Sequence, residues 1–511
     1  MRRALSLLLL LALLAGCAGE TAVSPAPTES PAPSQAPETA EERPFTLAYY
    51  PAASLHPAAS LNRTNLTVIS LLYETLFQVD AAFEVQPGLC ESAAVDESGL
   101  VWTLTLRAGA RFSDGSAVTA EDAAASLEAA RQEGSRFAAR LAGVTEAAAS
   151  GDRQVTVTLS APNGALPSLL DVPVFRQTGE ETVGSGPYRL TGTGEEAALT
   201  VNPWYPQAED LPFEEIALYP ISQADTLVSG FESRDISLVN TDLTGSGALG
   251  FSGNFSLWEY PTSILQYLGF HTTRGPCRDP ALRRAVSLAV DRSAVAGALL
   301  SHHAQASPLP IHPASPWYDQ ELADSLAFDL QGAQALLEEA GYVLEGDVLT
   351  RNGSPVALTL AVNSDSTFRL SVAEYAAQCL ERLGIAVTVE AMAWDDYVSA
   401  LERGSFDLYL AEVRLTADFD LTALASSGGA LNYGGYASGE TDGLLAAYRA
   451  ASGGARAEAA SALLGRLAED MPFAPLCFKN NSVLSHWGRL SGLQPTQGSL
   501  FYQITGWNPG L

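Results

Sequence analysis

Apolar and polar positions divide this chain into zones before any periodic element begins. Leu5–Leu14 is almost wholly apolar behind Arg2 and Arg3, and it runs into Leu14-Ala15-Gly16-Cys17. A basic start, a short apolar run and small residues form the pattern of an export signal, too short to span a bilayer as a stop-transfer helix. Residues 18–44 are rich in Pro, Ala, Ser, Thr and Glu and lack the apolar spacing of a core. Such a segment stays extended and solvated, as a tether does. Folding signals begin beyond Pro44.

Trp102, Leu104 and Leu106 alternate with Thr103, Thr105 and Arg107, which predicts a half-buried strand from Val101. Asp114-Gly115 marks a turn, and Thr119 with Asp122 forms a capping box for an alanine-rich helix reaching Arg131. Val155, Val157 and Leu159 alternate with threonines and Ser160 in another strand, so this stretch reads as a compact α+β unit. From about residue 185 to 270 the chain reads as strand-rich. Asp279-Pro280 then pairs an N-cap with a first-turn proline, and Leu282, Ala285, Val286, Ala289 and Val290 follow on one helical face. Farther on come a strand over Val356–Val362, a helix over Arg369–Leu383 stopped by Gly384, a strand over Ile385–Met392, a short helix over Asp395–Arg403 and a strand over Phe406–Val413. That order implies parallel strands covered by helices. Glu458–Asp470 reads as an amphipathic helix leading into a last apolar strand.

Composition narrows the class. The apolar fraction of 47% is ordinary for a globular chain, and the formal charge is −30. Removal of residues 1–17 deletes two arginines and no acids, leaving 26 basic against 58 acidic residues, a net of −32. So acidic a surface repels nucleic acid, and no nucleic-acid partner is expected. The single lysine, Lys479, reads as a compositional habit beside abundant arginine. Cys90, Cys277, Cys379 and Cys477 leave disulfide pairing open, but none has metal-ligand spacing, and buried free thiols are the expected state.

Catalytic motifs are missing. Gly245-Ser246-Gly247-Ala248-Leu249-Gly250 matches GxGxxG, yet Phe251-Ser252-Gly253-Asn254 does not open a helix, so a dinucleotide site is not expected. A phosphate-binding P-loop needs Gly-Lys, and neither GxSxG nor HExxH occurs. Six histidines are scattered, with His302-His303 expected as a solvated loop pair. The expectation is a chain without catalytic residues, cofactor or metal.

Several segments carry a resemblance. Leu72-Tyr73-Glu74-Thr75-Leu76-Phe77, followed by Val85-Gln86-Pro87-Gly88-Leu89-Cys90-Glu91-Ser92, is its most specific part. Phe112-Ser113-Asp114-Gly115, Thr119-Ala120-Glu121-Asp122, Gly184-Ser185-Gly186-Pro187-Tyr188 and Asp279–Arg292 with Arg283-Arg284-Ala285 continue it in order. Together they resemble the extracellular solute-binding proteins of ABC importers, in particular the oligopeptide- and dipeptide-binding family, across almost all of the chain beyond the tether. Leu14–Cys17 likewise resembles the lipobox of bacterial lipoproteins, in which the cysteine becomes the lipidated first residue.

The resemblance implies an α/β, two-lobe periplasmic-binding-protein-like (type II) fold with a cleft between lobes. It implies a signal peptide over 1–17, a tether over 18–44, lobe I over 45–75, 185–270 and 490–511, an inserted α+β domain over 76–184, and lobe II over 271–489. A monomer anchored through Cys17 on the outer face of the cytoplasmic membrane is expected, capturing a small peptide by hinge closure and delivering it to a permease served by a separate ATPase. A sensing lipoprotein without transport, or a binder of a sugar, opine or nickel chelate, is the alternative. Asp418, in Arg414-Leu415-Thr416-Ala417-Asp418-Phe419-Asp420, is the implied receiver of a peptide ammonium group, although the family's tryptophan is missing there and Leu421 replaces its proline. Phe419, Asn432, Tyr433, Tyr436 and Trp394 are further implied cleft contacts. Arg414 is expected to meet either a ligand carboxylate or Asp418.

Overall fold

Two long strands, Phe255–Phe270 and Phe473–His486, run antiparallel through the middle of an eleven-stranded sheet and belong to both of its halves. The computed structural model describes residues 43–510 apart from Glu180. The signal segment with Cys17, and the tether up to residue 42, lie outside the described residues. On one side Ser482–Ser485 pairs antiparallel with Leu238–Thr241. Beyond it stand Thr46–Tyr49, Glu215–Pro220, Ala198–Val201 and Tyr188–Thr191 in that order. On the other side Ile264–Phe270 pairs antiparallel with Leu408–Arg414, followed by the parallel strands Ala357–Asn363 and Ala386–Met392.

The ladder between the two long strands breaks where the halves meet. Pro261 lies opposite Asn480 and the next pair is Leu265 with Phe478, so Thr262, Ser263 and Ile264 stand against Lys479 alone. Hydroxyl groups take over from the ladder there. Thr262 Oγ1 donates to the carbonyl of Lys479 at 2.7 Å, and Ser263 Oγ donates to that of Leu415 at 2.5 Å. A bend at this place disturbs few backbone bonds.

Period-two alternation sends successive residues of one strand into different cores. Leu268 and Phe270, with Leu408 and Leu410, pack under helices Pro280–Ala289 and Thr367–Glu381. Leu265, Tyr267 and Tyr409 face the opposite core, with Tyr397 of Trp394–Arg403 and Leu463 of Gly453–Asp470. Both faces are covered, which is why these strands read as apolar runs. Each fully buried Leu or Phe contributes about 1.5–3 kcal/mol relative to exposure. The strand–helix–strand–helix–strand order expected over 356–413 is present, with its three strands parallel.

The α+β unit is a four-stranded antiparallel sheet in the order Cys90–Val95, Val101–Leu106, Gln154–Leu159, Val144–Ala149. Trp102, Leu104, Leu106, Val155 and Val157 meet Ala123 and Leu127 of helix Ala120–Arg131 in a core of their own. The Thr119–Asp122 box is reciprocal, and Arg176 clamps Asp122 at 2.6 Å. Asp279 caps Pro280–Ala289 by accepting from the Ala281 amide. The arginines of that landmark are structural: Arg283 Nη1 donates to the Cys277 carbonyl at 2.8 Å, and Arg292 Nε to that of Pro475 at 2.7 Å. Cys90, Cys277, Cys379 and Cys477 are free and buried.

One element departs from the strand-rich expectation for 185–270. Ala224–Glu232 is a helix, seated by Phe231 against Ile236 and Leu484. Its start has no side-chain cap and Gly230 interrupts its end, so only the tertiary seat of Phe231 sustains it.

Candidate ligand-binding cleft

Where the ladder breaks, elements of both halves surround a cavity of about 450 Å³. Helix Arg63–Leu72, capped by Asn62, turns Arg63, Thr64 and Thr67 toward it. The end of strand Leu238–Thr241 supplies Asn240 and, one residue on, Asp242. From the other half come Glu412 and Arg414 at the end of Leu408–Arg414, and Arg369 from the start of Thr367–Glu381. A second cavity of about 1040 Å³ shares Arg63, Thr67, Asn240 and Arg414 with the first and extends past Tyr73, Glu74 and Arg107 toward Asp171. The two adjoin along those four shared residues.

Its charges are arranged unevenly. Lys479 is 1% exposed, and its Nζ stands 2.7 Å from Asp242 and 3.5 Å from Glu412. Arg369 Nε lies 3.9 Å from Glu412 while its Nη1 donates to Asn363 at 3.0 Å. In the larger cavity Arg107 pairs with Glu74 at 2.8 Å and Arg140 with Asp171 at 2.6 Å. Burial raises the Glu74 carboxyl above its ordinary value, opposed by Arg107. The Tyr260 hydroxyl donates to Asn240 at 2.8 Å and accepts from Asn481 Nδ2 at 3.2 Å, a polar stretch in the wall of the larger cavity. Asn481 Oδ1 is buried with no partner.

Of the ligand contacts implied by the resemblance, Arg414 lines both cavities. Asp418 lies buried against the loop after Leu159: it accepts from Thr416 Oγ1 at 2.5 Å and from Asn163 Nδ2 at 3.3 Å. Burial raises its carboxyl, with the Thr416 bond opposing. Arg414 and Asp418 form no salt bridge, so the ion pair weighed above is not made. Phe419 is fully buried between Phe83 and Phe478. Asn432 ties its own loop, donating to the carbonyls of Ser426 and Tyr436 at 2.9 and 2.6 Å. Tyr433 is half-buried against Tyr409, Tyr436 bonds Asp470 at 2.5 Å, and Trp394 is 54% exposed beside Tyr397.

Two readings of the sequence need correction. Lys479 is more than a compositional habit, since it is buried at the junction and neutralises carboxylates from both halves. His303 is not merely solvated: its Nδ1 pairs with Glu259, while His302 remains exposed. The Gly245–Gly250 run opens no helix, as expected, yet Gly245, Ser246 and Gly247 form part of the smaller cavity's wall. Arg63, Asn240, Asp242 and Glu412 carried no local signal. A lone lysine in an arginine-rich chain was the one available clue. Among the described residues no three His, Cys, Asp or Glu side chains stand together as metal ligands, and no helix is long and apolar enough to cross a membrane.

Comparison with known proteins agrees with this architecture. The profile of bacterial extracellular solute-binding proteins, family 5 Middle, matches residues 84–430. The chain is 23% identical over 460 residues to the oligopeptide-binding protein AppA of Bacillus subtilis (strain 168), covering 83% of this chain and 84% of that protein. It is 26% identical over 350 residues to the nickel-binding periplasmic protein of Escherichia coli (strain K12), covering 63% and 66% respectively. In three dimensions it is similar to the MppA periplasmic murein tripeptide binding protein in its unliganded open form, with a TM-score of 0.74 at 20% identity over 92% of this chain and 98% of that one. The fold is therefore the type II, two-lobed α/β fold with an inserted domain. By profile and by fold, this chain belongs to the bacterial extracellular solute-binding proteins, family 5, the non-enzymatic solute-binding components of ABC importers.

Proposed function

We propose that this protein is the membrane-anchored binding subunit of an ABC importer that captures peptides in the interlobe cleft and delivers them to a permease. The observation that carries the reading is the cleft itself. It opens where the ladder between the long strands breaks, and its walls come from both halves of one sheet. A ligand touching both walls favours the closed form over the open one by the contacts it makes only there. Cys17 is the anchor in this reading, and the lobe boundaries are those drawn above from the resemblance. Asp418 lines neither cavity and is buried against Asn163; in this reading it receives the peptide ammonium once that bond is given up, the cation offsetting the burial of the carboxylate.

Native mass spectrometry of the mature chain, purified without denaturation, tests the reading. Co-purified short peptides, lost in Asp418→Ala, are the expected result. A protein that emerges empty and gains no thermal stability from a peptide mixture overturns it. The likeness to a nickel-binding protein supports a second reading, a chelated metal, which the same spectrum would reveal by mass. With no ligand cluster among the described residues, such a metal would enter with its chelator.

A further inference from the structure

Two guanidinium groups in the cleft make no direct ion pair among the described residues. Arg63 comes from one half and Arg414 from the other, and both line both cavities. Both side chains are exposed to the cleft, and among the described residues neither makes a hydrogen bond or salt bridge. They lie close enough to feel each other. Burial holds Arg414 below its ordinary value and the charge on Arg63 adds to this, against the opposing pull of Tyr260, Glu412 and Asp242.

The carboxylates nearby attract Arg414 without pairing with it. Asp242 and Glu412 are already engaged by the ammonium of Lys479, and Glu412 also by Arg369. That leaves three arginines (Arg63, Arg369, Arg414) on the wall of the smaller cavity against two carboxylates, Asp242 and Glu412, which the buried Lys479 already engages, within a chain of net charge −30. The helix behind Arg63 adds to the excess: its first turn faces the cavity and holds no acidic residue, so its positive end is uncompensated. Beside these groups, Asn481 Oδ1 is buried on the wall of the larger cavity with no donor. An acceptor left unpaired in this way calls for an N–H or O–H on the occupant.

We infer that the cleft selects a solute carrying two negative charges at one end, held between Arg63 and Arg414, with a hydrogen-bond donor beside them for Asn481. Guanidinium forks match carboxylate and phosphate oxygens alike, so the shared chemistry is a dianionic oxyanion group, from an acidic peptide end or a phosphate monoester. The dianion also closes the cleft. In the open state the two like charges repel, and an anion between them turns repulsion across the lobes into two attractions.

This rests on the reading of the cleft as the ligand site. Isothermal titration of the mature chain with Ala-Ala-Glu, Ala-Ala-Gln and glycerol 2-phosphate tests it. A dianion is expected to bind at least about tenfold more tightly than Ala-Ala-Gln, with an advantage that shrinks as salt rises. Arg63→Gln and Arg414→Gln should each remove that advantage, and Arg63→Gln should not lower the melting temperature of the empty protein, because it relieves the repulsion on Arg414. Phosphate-monoester binding that depends on both arginines, without peptide binding, upholds the anion clamp and defeats the peptide reading. Equal binding of Ala-Ala-Glu and Ala-Ala-Gln overturns the clamp and leaves the peptide reading standing. Failure of every anion to bind overturns the clamp outright.

Discussion

Replacing Lys479 with methionine keeps most of the side chain's volume and removes one charge from the junction of the halves. The lysine is 1% exposed, 2.7 Å from Asp242 and 3.5 Å from Glu412. Removing one member of a buried pair costs about 3–5 kcal/mol, because the other charge stays desolvated. Asp242 keeps bonds from the Thr244 amide at 3.0 Å and hydroxyl at 3.2 Å and is 14% exposed, which favours the lower end, about 3 kcal/mol. The pH dependence is specific. Burial pushes the Asp242 carboxyl up, but the Lys479 ammonium and the Thr244 bonds more than reverse it, so its folded pKa lies below the ordinary value. Wild-type stability from this group is present above the unfolded carboxyl pKa of about 3.9 and is lost as pH falls through the lower folded value. Without Lys479 burial prevails, the folded carboxyl rises above its unfolded value, and protonation relieves the variant as pH falls. The deficit is therefore largest near neutral pH and narrows toward about pH 4. Urea unfolding followed by tryptophan fluorescence at both pH values measures it, and Lys479→Met/Asp242→Asn should recover part of the loss. A deficit below about 1 kcal/mol at neutral pH, the size of an exposed pair, or one that fails to narrow in acid, refutes the reasoning.

Other expectations follow from buried groups. His312 is fully buried between Phe83 and Phe478, its Nδ1 accepting from the Ala314 amide at 3.0 Å, and burial lowers its pKa to about 4. Its contribution is present above the unfolded value of about 6.5 and falls by about 1.4 kcal/mol per pH unit as pH drops toward the folded one, so urea titrations of His312→Asn should lack that component. Gly184→Ala would set a Cβ 2.0 Å from the Leu72 carbonyl oxygen, and a loss of about 1–3 kcal/mol in thermal unfolding is expected. Burial pushes the thiols of Cys90 and Cys477 up to about 12, so a thiol reagent should label neither in the native protein and both after unfolding.

Regular elements were legible because their causes are local. Alternation at Trp102–Leu106, the Thr119–Asp122 box and the Asp279-Pro280 start each act within a few residues, and the structure has all three. The landmarks at Gly184–Tyr188 and Arg283–Arg292 were legible as residues, but their reasons are tertiary: a carbonyl pressed against Gly184, the helix-capping carbonyl of Met471 that takes a donor from Arg283, and the strand carbonyl of Pro475 that takes one from Arg292. Helix Ala224–Glu232 escaped notice because it lacks a cap and depends on a distant seat. The cleft was the least legible part. Arg414 could be named as a candidate, but not its facing partner Arg63, and Lys479 looked incidental although its ammonium meets a carboxylate 237 residues away. Sequence alone determined most of the strands and helices, those that follow from neighbouring side chains and backbone bonds. Only the tertiary structure decided which charges are paired and which stand free, since that depends on distance through space and on burial, both set by strands that pair across the whole chain.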